Sequence, residues 1–418
     1  LESPVLILVP TSVISSWADE AASCFPQLRT CVLRASHQRN PHAWDDIPQS
    51  NIVITSHTLF RMDHLLWSKY SLSGLVIDEA QVLKNPRTML YRSVKELQVP
   101  WRICVSGTPI ENSLEDLWAL MSLSVPGLLS THAHFNEKFR RPIEGTQQDN
   151  ALELLHTLIA PFILRRAKEE VTPELPDRIE TLLPVPLEGR QRQIYDRYLT
   201  RERARLLRIQ LNNEGSQGRF EVLAALTRLR QLSLDPALVD ERYEGVGSAK
   251  INLLCSHLEQ IVPAGHQVLV FSQFVSFLER IDTALKQRGI SCLLLEGKTR
   301  KREEVIAKFR RGEESVFLIS LKAGGVGLTL TEADYVYIMD PWWNPSVEAQ
   351  AINRAHRIGQ DRAVNVYRLV AQDTIEEKVC QLQAHKQRLI DTVVDDVGDG
   401  GTQGMDIDQL IELLGAGE

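Results

Sequence analysis

The chain has 418 residues, of which 43% are hydrophobic and 24% are charged, and its formal net charge is −7 at pH 7. This length allows two or three separate cores, and the composition is that of an ordinary globular protein. The negative net charge gives no support to nucleic-acid binding. It does not exclude such binding either, because a local basic track is sufficient.

No apolar run reaches the length of a transmembrane helix, so we expect no membrane span. The opening residues LESPVLILVPTS have neither the basic segment nor the cleavage site of a signal peptide. They also lack an initiator methionine, so we expect a fragment whose natural N-terminus lies upstream. The scattered cysteines, without CxxC spacing, argue against a zinc site or a disulfide framework. Reduced thiols indicate the cytoplasm or nucleoid, or the nucleus in a eukaryote.

Short apolar runs in the first part of the chain end in polar residues. The runs are Val5–Val9, Ile52–Thr55, Gly74–Ile77 and Arg102–Val105. Continuous apolar runs are typical of strands buried on both faces, and helical patterns lie between them. The pattern therefore predicts an α/β lobe over residues 1–112, with a parallel sheet and polar loops at the carboxyl ends of its strands.

The acidic pair Asp78-Glu79 follows the third of these runs. At a sheet edge, Asp78 can hold Mg²⁺ and Glu79 can orient and deprotonate an attacking water, which are the requirements of phosphoryl transfer. Such a pair can also be an acidic helix N-terminus. The sequence Ser-Gly-Thr-Pro at the end of the next run favours the catalytic interpretation.

Helical periodicity replaces the alternation over residues 113–245, which we interpret as a helical insertion and linker. The polar stretch DERYEGVGS near its end is the best linker candidate. Arg165 and Arg166 suit contact with a phosphate backbone, but ordinary surface charge explains them equally well.

Strand and helix patterns alternate again over 246–373 and predict a second lobe, followed by a helical extension over 374–418. Gly297-Lys298-Thr299 looks like the end of a P-loop. A P-loop requires glycine five residues before Gly297, and that position is Cys292, so the match fails.

The stretch from Ser320 to Gln360 combines a glycine cluster, a tryptophan pair and a basic helix. The helix is predicted to place Gln350, Arg354 and Arg357 on one face. Glycine permits close approach of a phosphate, and arginine offers a planar fork of donors. A solvated basic helix would explain an isolated RxxR, but the combination favours a polyphosphate site.

This stretch closely resembles the fifth and sixth motifs of Swi/Snf-type DNA-dependent ATPases of helicase superfamily two. LVIDEAQVLKNPRT and SGTPIENSLEDLWAL resemble the second and third motifs, and VLVFSQF resembles the fourth. LILVPTSVISSWADE and IVITSHTLFR resemble the early DNA-contacting motifs. The resemblance extends over residues 6–414 and implies an α/β protein with two RecA-like parallel-sheet lobes and helical insertions between them.

The resemblance implies that ATP and Mg²⁺ bind between the lobes and that double-stranded DNA is held through its backbone, without sequence readout. A DNA-bound protein is a candidate substrate, and no membrane is involved. The catalytic residues would be Asp78 (also the metal ligand), Glu79, Arg354 and Arg357. The nucleotide contacts would be Gln81, Gly325, Gly327 and Gln350. The contacts to DNA, or the residues coupling hydrolysis to it, would be Thr11, Ser56, Ser106, Thr108, Ser272, Lys298 and Trp343.

Two departures from the family pattern stand out. Asn353 replaces the usual aspartate, and the 418 residues contain no GxxxxGK[ST] loop. We therefore expect the chain by itself to be inactive. Two rival functions remain: a strand-separating helicase, and a non-catalytic DNA-binding protein that lacks the P-loop. A GxGKT-type loop within about 30 residues upstream of Leu1 would support the motor.

Overall fold

The computed structural model describes residues 3–106, 114–144, 148–164, 166, 172, 174–211, 215–299, 301–321, 329–342 and 345–381. The chain divides into two compact units, with the boundary between Arg165 and Arg166. Each unit contains one parallel sheet. Among the described residues, no helix combines the length and apolar character needed to cross a membrane.

The sheet of unit one has five parallel strands in the order β2-β3-β1-β4-β5. The strands are β1 (Val5–Val9), β2 (Thr30–Leu33), β3 (Ile52–Ser56), β4 (Gly74–Ile77) and β5 (Arg102–Cys104). The central strand β1 has four of its five residues buried, as its continuous apolar sequence predicts. The sequence interpretation missed β2.

Helices cover both faces of this sheet. They are α1 (Ile14–Cys24), α2 (His57–Met62), α3 (His64–Trp67), α4 (Met89–Glu96), α5 (Leu114–Ser124), α6 (His132–Phe135), α7 (Arg141–Glu144) and α8 (Gln148–Ile159), with a π-helical turn at Asn136–Arg140. One core joins the sheet to α5 and α8, and a smaller core lies under α1. The first part of the expected helical insertion therefore packs in unit one.

The sheet of unit two has six parallel strands in the order β6-β11-β10-β7-β9-β8. They are β6 (Arg178–Val185), β7 (Val268–Ser272), β8 (Cys292–Leu295), β9 (Val316–Ser320), β10 (Tyr335–Ile338) and β11 (Val364–Ala371). The expectation of two parallel-sheet α/β lobes is confirmed. Within residues 113–245, which we interpreted as a helical insertion and linker, the structure also contains the strand β6, which pairs with β11 along its whole length.

The helices of unit two are α9 (Gly189–Leu211), α10 (Gly215–Leu234), α11 (Ala249–Ile261), α12 (Val275–Gln287), α13 (Arg302–Arg310) and α14 (Pro345–Ile352). A further helix is described over residues 375–381. Helices α9 and α10 form a pair through an apolar cluster and through ion pairs that include Arg228 with Glu202.

A fully buried ion pair lies at the carboxyl edge of this sheet. Lys250 Nζ donates to the carbonyls of Met339 at 2.6 Å and Leu369 at 2.8 Å, and to Glu376 Oε2 at 2.5 Å. Neither charged side chain is exposed to solvent. Glu376 also accepts from the Ala371 N–H and from Ser233 Oγ. The pair therefore joins the start of α11, the ends of two strands and the helix after residue 374.

Replacing Glu376 with alanine is expected to destabilise unit two by about 3–5 kcal/mol, because the Lys250 ammonium would stay buried without its carboxylate. The free energy of unfolding in urea measures the loss. Glu377→Ala is the matched control, since Glu377 is the next residue and is only half-buried. An equal loss in both variants would contradict a stabilising role for the ion pair.

Candidate active site

The carboxyl ends of β1, β3, β4 and β5 place four polar segments at one edge of unit one. Asp78 follows β4, and its N–H donates to the Leu8 carbonyl at 2.8 Å. Its carboxylate accepts from Trp17 Nε1 at 2.9 Å and from the Glu79 N–H at 2.9 Å. These bonds fix the orientation of the carboxylate. Sequence reasoning missed Trp17, because nothing in helix α1 indicates that its indole reaches the end of β4.

Glu79 has a left-handed backbone conformation, with φ 49° and ψ 47°. This region is unfavourable for residues other than glycine, asparagine and aspartate, and such strain persists only where the surrounding structure enforces it. Here the turn allows the N–H of Ala80 to bond the Val105 carbonyl at 2.9 Å. The acidic pair is thereby tied to the segment that follows β5.

A chain of side-chain hydrogen bonds continues this connection. Gln81 Nε2 donates to Glu79 Oε2, and Ser106 Oγ donates to Gln81 Oε1 at 2.8 Å. We expected Gln81 to contact nucleotide and Ser106 to couple hydrolysis to DNA. In this structure the Gln81 amide bridges Glu79 and Ser106, and the expected roles of Gln81 and Ser106 stay predictions.

His57 lies next to Asp78 and was not foreseen as a site residue. Burial lowers the pKa of His57, while the backbone and charge of Asp78 act in the opposite direction. Among the described residues, the buried Nε2 atom has no hydrogen-bond partner, which is an uncommon arrangement for a buried polar atom.

The residues expected to contact DNA in unit one differ in exposure. Thr11 is exposed, whereas Ser56 is buried and its Oγ accepts from the Leu59 N–H at 3.1 Å as the cap of α2. Exposed basic side chains that the sequence analysis did not single out lie at the same edge of the sheet. Arg34 follows β2 and donates to Ser15 Oγ at 3.0 Å, and Arg39 lies in the same loop.

In unit two, Ser272 at the end of β7 is fully buried. Its Oγ accepts from the Phe274 N–H at 3.1 Å and lies within hydrogen-bonding reach of the Asp340 carboxylate. Burial raises the pKa of Asp340 to about 6, while Arg230 and Ser272 act in the opposite direction. Lys298 is exposed in the turn after β8, where the N–H of Thr299 donates to the Glu296 carbonyl at 3.1 Å.

The arginine-bearing segment corrects one expectation. Helix α14 ends at Ile352, so one continuous helix does not carry Gln350, Arg354 and Arg357. After Asn353 the backbone tightens: the N–H of Arg354 bonds three residues back at 3.3 Å, and the Arg354 carbonyl accepts from Leu330 at 2.9 Å. The Leu330 N–H, from another segment, thus occupies the Arg354 carbonyl, which would accept an intrahelical hydrogen bond if the helix were longer.

The two arginines consequently have different surroundings. Arg354 is 6% exposed, whereas Arg357 is exposed and donates to Thr329 Oγ1 at 3.2 Å. Gln350 is half-buried on α14. Of the remaining predicted site residues, Thr108, Gly325, Gly327 and Trp343 lie outside the described residues, as does Arg165.

The Asp78 carboxylate is suited to be a ligand of Mg²⁺. Each of its carboxylate oxygens accepts one hydrogen bond named above and has lone-pair capacity for another partner. Among the described residues, no group of three or more His, Cys, Asp or Glu side chains is placed to hold a metal. A single carboxylate is compatible with Mg²⁺, which usually binds one or two carboxylates together with water and substrate phosphates.

Two known protein families match this chain. The SNF2-related domain matches residues 1–238, more than half of the chain, and the helicase conserved C-terminal domain matches residues 249–359. The chain belongs to the SNF2-related family. Its two parallel-sheet units are accordingly two RecA-like lobes.

Individual relatives agree with this assignment. An "uncharacterized ATP-dependent helicase" of Mycoplasma pneumoniae is 34% identical over 94% of this chain and 38% of its own length. The "putative ATP-dependent helicase/translocase YwqA" of Bacillus subtilis is 33% identical over 94% of this chain and 43% of its own. The SNF2-related chain thus spans about two fifths of the length of these curated relatives.

Among solved structures, the Sulfolobus solfataricus SWI2/SNF2 ATPase core in complex with dsDNA is 32% identical, with a TM-score of 0.45. The match covers 94% of this chain and 82% of the Sulfolobus chain. Within the SNF2-related chain, the first matched range contains Asp78 and Glu79, and the second contains Arg354 and Arg357. The roles of these residues stay predictions.

Proposed function

We propose that this chain is the motor of a Swi/Snf-type translocase, which hydrolyses ATP at a site shared by its two lobes and moves along double-stranded DNA. The observation that carries the proposal is the Asp78-Glu79 pair, held at a sheet edge by a strained turn and bonded through Gln81 to Ser106. Carboxylates fixed in this manner supply what phosphoryl transfer needs from a protein, namely positioning and electrostatics.

In this proposal Glu79 Oε2 accepts the proton of the attacking water, and Gln81 holds that carboxylate in place. Asp78 would hold Mg²⁺, which neutralises charge that develops on the phosphates. Trp17 and the Glu79 N–H orient Asp78 for this purpose. The phosphate-binding P-loop is absent from the 418-residue sequence, so we also propose that these residues alone turn over little ATP.

Arg357 and Arg354 are proposed as arginine fingers that reach the ATP between the lobes. Exposure of Arg357 supports this role, because a finger must be able to meet a ligand outside its own lobe. A guanidinium keeps its charge and offers a planar set of donors to phosphate oxygens. Gln350, with Gly325 and Gly327, would support the nucleotide.

Double-stranded DNA is the proposed track, with a DNA-bound protein as candidate substrate. The exposed Thr11, Arg34 and Arg39 support backbone contact at the carboxyl edge of unit one, which needs no base readout. The names of the relatives, which include helicase and translocase, support an ATP-driven motor over a non-catalytic DNA-binding protein.

In the natural protein, Glu79→Gln is expected to stop DNA-stimulated hydrolysis while preserving ATP binding. The amide keeps the shape and polarity of the side chain but cannot accept the proton. Phosphate release and titration with a fluorescent nucleotide measure the two properties. Glu96→Gln, at the exposed end of α4, is the control. Near-normal turnover by Glu79→Gln would show that Glu79 is not the base.

Arg357→Ala is expected to lower turnover by about 10³-fold, as removal of an arginine finger does, which corresponds to about 4 kcal/mol of barrier. Arg354→Ala is expected to act in the same direction. Arg362→Ala is the control, because Arg362 lies nearby but pairs with Asp334 at 3.3 Å and is 63% exposed. If the turnover of Arg357→Ala fell by less than about tenfold, Arg357 would be a surface charge rather than an arginine finger.

The P-loop-complete enzyme is expected to hydrolyse ATP best with duplex DNA and to displace a triplex-forming third strand while leaving a tailed duplex annealed. Phosphate contacts are sufficient for stepping, whereas strand separation needs a wedge that unstacks bases. Binding should weaken steeply with salt and depend little on sequence. Efficient unwinding of the tailed duplex without triplex displacement would favour the strand-separating helicase.

A further inference from the structure

Arg230, near the end of helix α10, is buried within unit two, with only 3% of its side chain exposed. A buried guanidinium is costly unless its charge and hydrogen-bonding groups are satisfied. Its Nη2 donates to the Pro341 carbonyl at 2.8 Å and lies 3.3 Å from Asp340 Oδ2. Gln273, oriented with its amide oxygen toward the guanidinium, accepts from Nη1 at 2.7 Å.

Two aromatic rings complete the surroundings of Arg230. The guanidinium carbon lies 5.5 Å from the centroid of the Phe274 ring and 5.3 Å from that of Trp342. Arginine stacks on aromatic faces and donates in its own plane at the same time. One side chain of α10 therefore holds the backbone, the carboxylate and the indole of the segment Asp340–Trp342.

The segment Asp340–Trp342 is also bonded to helix α14, which precedes Arg354 and Arg357 in the chain. The Trp342 N–H donates to Glu348 Oε1 at 2.7 Å, and Glu348 lies on α14 with 1% exposure. The second carboxylate oxygen of Glu348 accepts from Arg368 Nε at 3.1 Å, which anchors α14 to β11. Arg354 and Arg357 follow Glu348 by six and nine residues, beyond the end of α14.

We propose that Arg230 is a positioning residue that couples the α9–α10 helix pair to the arginine fingers. The coupling runs through Asp340–Trp342 and Glu348, and Arg230 itself touches neither nucleotide nor DNA. A displacement of α10, for instance by a bound substrate, would move the segment that orients Arg354 and Arg357. This inference rests on the proposed function of Arg357.

The alternative is that Arg230 only stabilises the core. Arg228 provides the comparison, since it lies on the same helix and forms a bidentate pair with Glu202 at 2.9 and 3.0 Å. That pair joins α9 to α10 and does not reach the finger segment. Loss of Arg228 would weaken the α9–α10 pair but keep the bonds from Arg230 to Asp340–Trp342, whereas loss of Arg230 would remove those bonds.

The test is a double-mutant comparison of DNA-stimulated ATPase activity in the natural protein. Arg230→Met is expected to lower kcat by about tenfold or more with little change in KM for ATP, because a misplacement of about 1 Å can cost about a hundredfold in rate. In an Arg357→Ala background the same change should cost less than about twofold, since the finger it positions is gone. Arg228→Met is the control and should act equally in both backgrounds.

Amide hydrogen exchange of the segment 335–359 is measured in the same variants, without ATP. Faster exchange in Arg230→Met but not in Arg228→Met would support the coupling. Unchanged exchange, or additive losses of kcat with Arg357→Ala, would overturn it. If Arg357→Ala by itself leaves turnover intact, the proposed function fails instead. If Arg230→Met does not fold, Arg230→Lys replaces it, because lysine keeps the charge but loses the planar fork.

Discussion

Parallel strands that end at one edge leave backbone carbonyls there which need donors, and this constraint governs both halves of the molecule. In unit two, Lys250 satisfies the carbonyls of Met339 and Leu369 and is neutralised by Glu376. In unit one the Ala80 N–H satisfies the Val105 carbonyl, which places Glu79 in a left-handed turn. The proposed base Glu79 therefore lies on backbone that is fixed where a carbonyl after a strand end is satisfied, because an unpaired buried carbonyl costs about as much as a lost hydrogen bond.

Two buried charge pairs lie close together at the edge of unit two. Ser233 connects them, since its Oγ lies 2.8 Å from the Arg230 carbonyl and 2.6 Å from Glu376 Oε1. Desolvation makes such pairs poor sources of net stability compared with apolar side chains. Their geometric demands are strict, however, because each donor must meet its acceptor. These bonds favour one relative position of α10, the strand ends and the helix after residue 374. Apolar contacts would restrict that position less, because they do not depend on direction.

The sequence predicted the buried strands well but missed two edge strands, β2 and β6. Val5–Val9 and Gly74–Ile77 have the expected bounds, because strands covered on both faces carry continuous apolar sequence. The edge strand β6 has mostly exposed residues, so RIETLLPV carries no such signal, and its partner β11 lies far along the chain. At the site, Asp78 and Glu79 lie at the carboxyl edge of the sheet, as the strand pattern predicted. Burial of Ser56 and Ser272, and the contacts of Trp17 and Arg230, depend on tertiary packing that no local pattern encodes.

The early end of α14 explains why the sequence identified Arg354 and Arg357 as candidates but did not predict their surroundings. Spacing alone predicts that Gln350, Arg354 and Arg357 share a helix face, since i, i+4 and i+7 are neighbours on a helix. Instead, Leu330 donates to the Arg354 carbonyl, and the chain leaves the helix after Ile352. Arg354 becomes buried and Arg357 exposed, so two arginines with the same motif spacing acquire different freedom. A buried arginine is held by its own lobe, whereas an exposed one can meet a ligand beyond it. The irregular turn therefore leaves the Arg357 guanidinium freer than that of Arg354 to contact a phosphate beyond its own lobe.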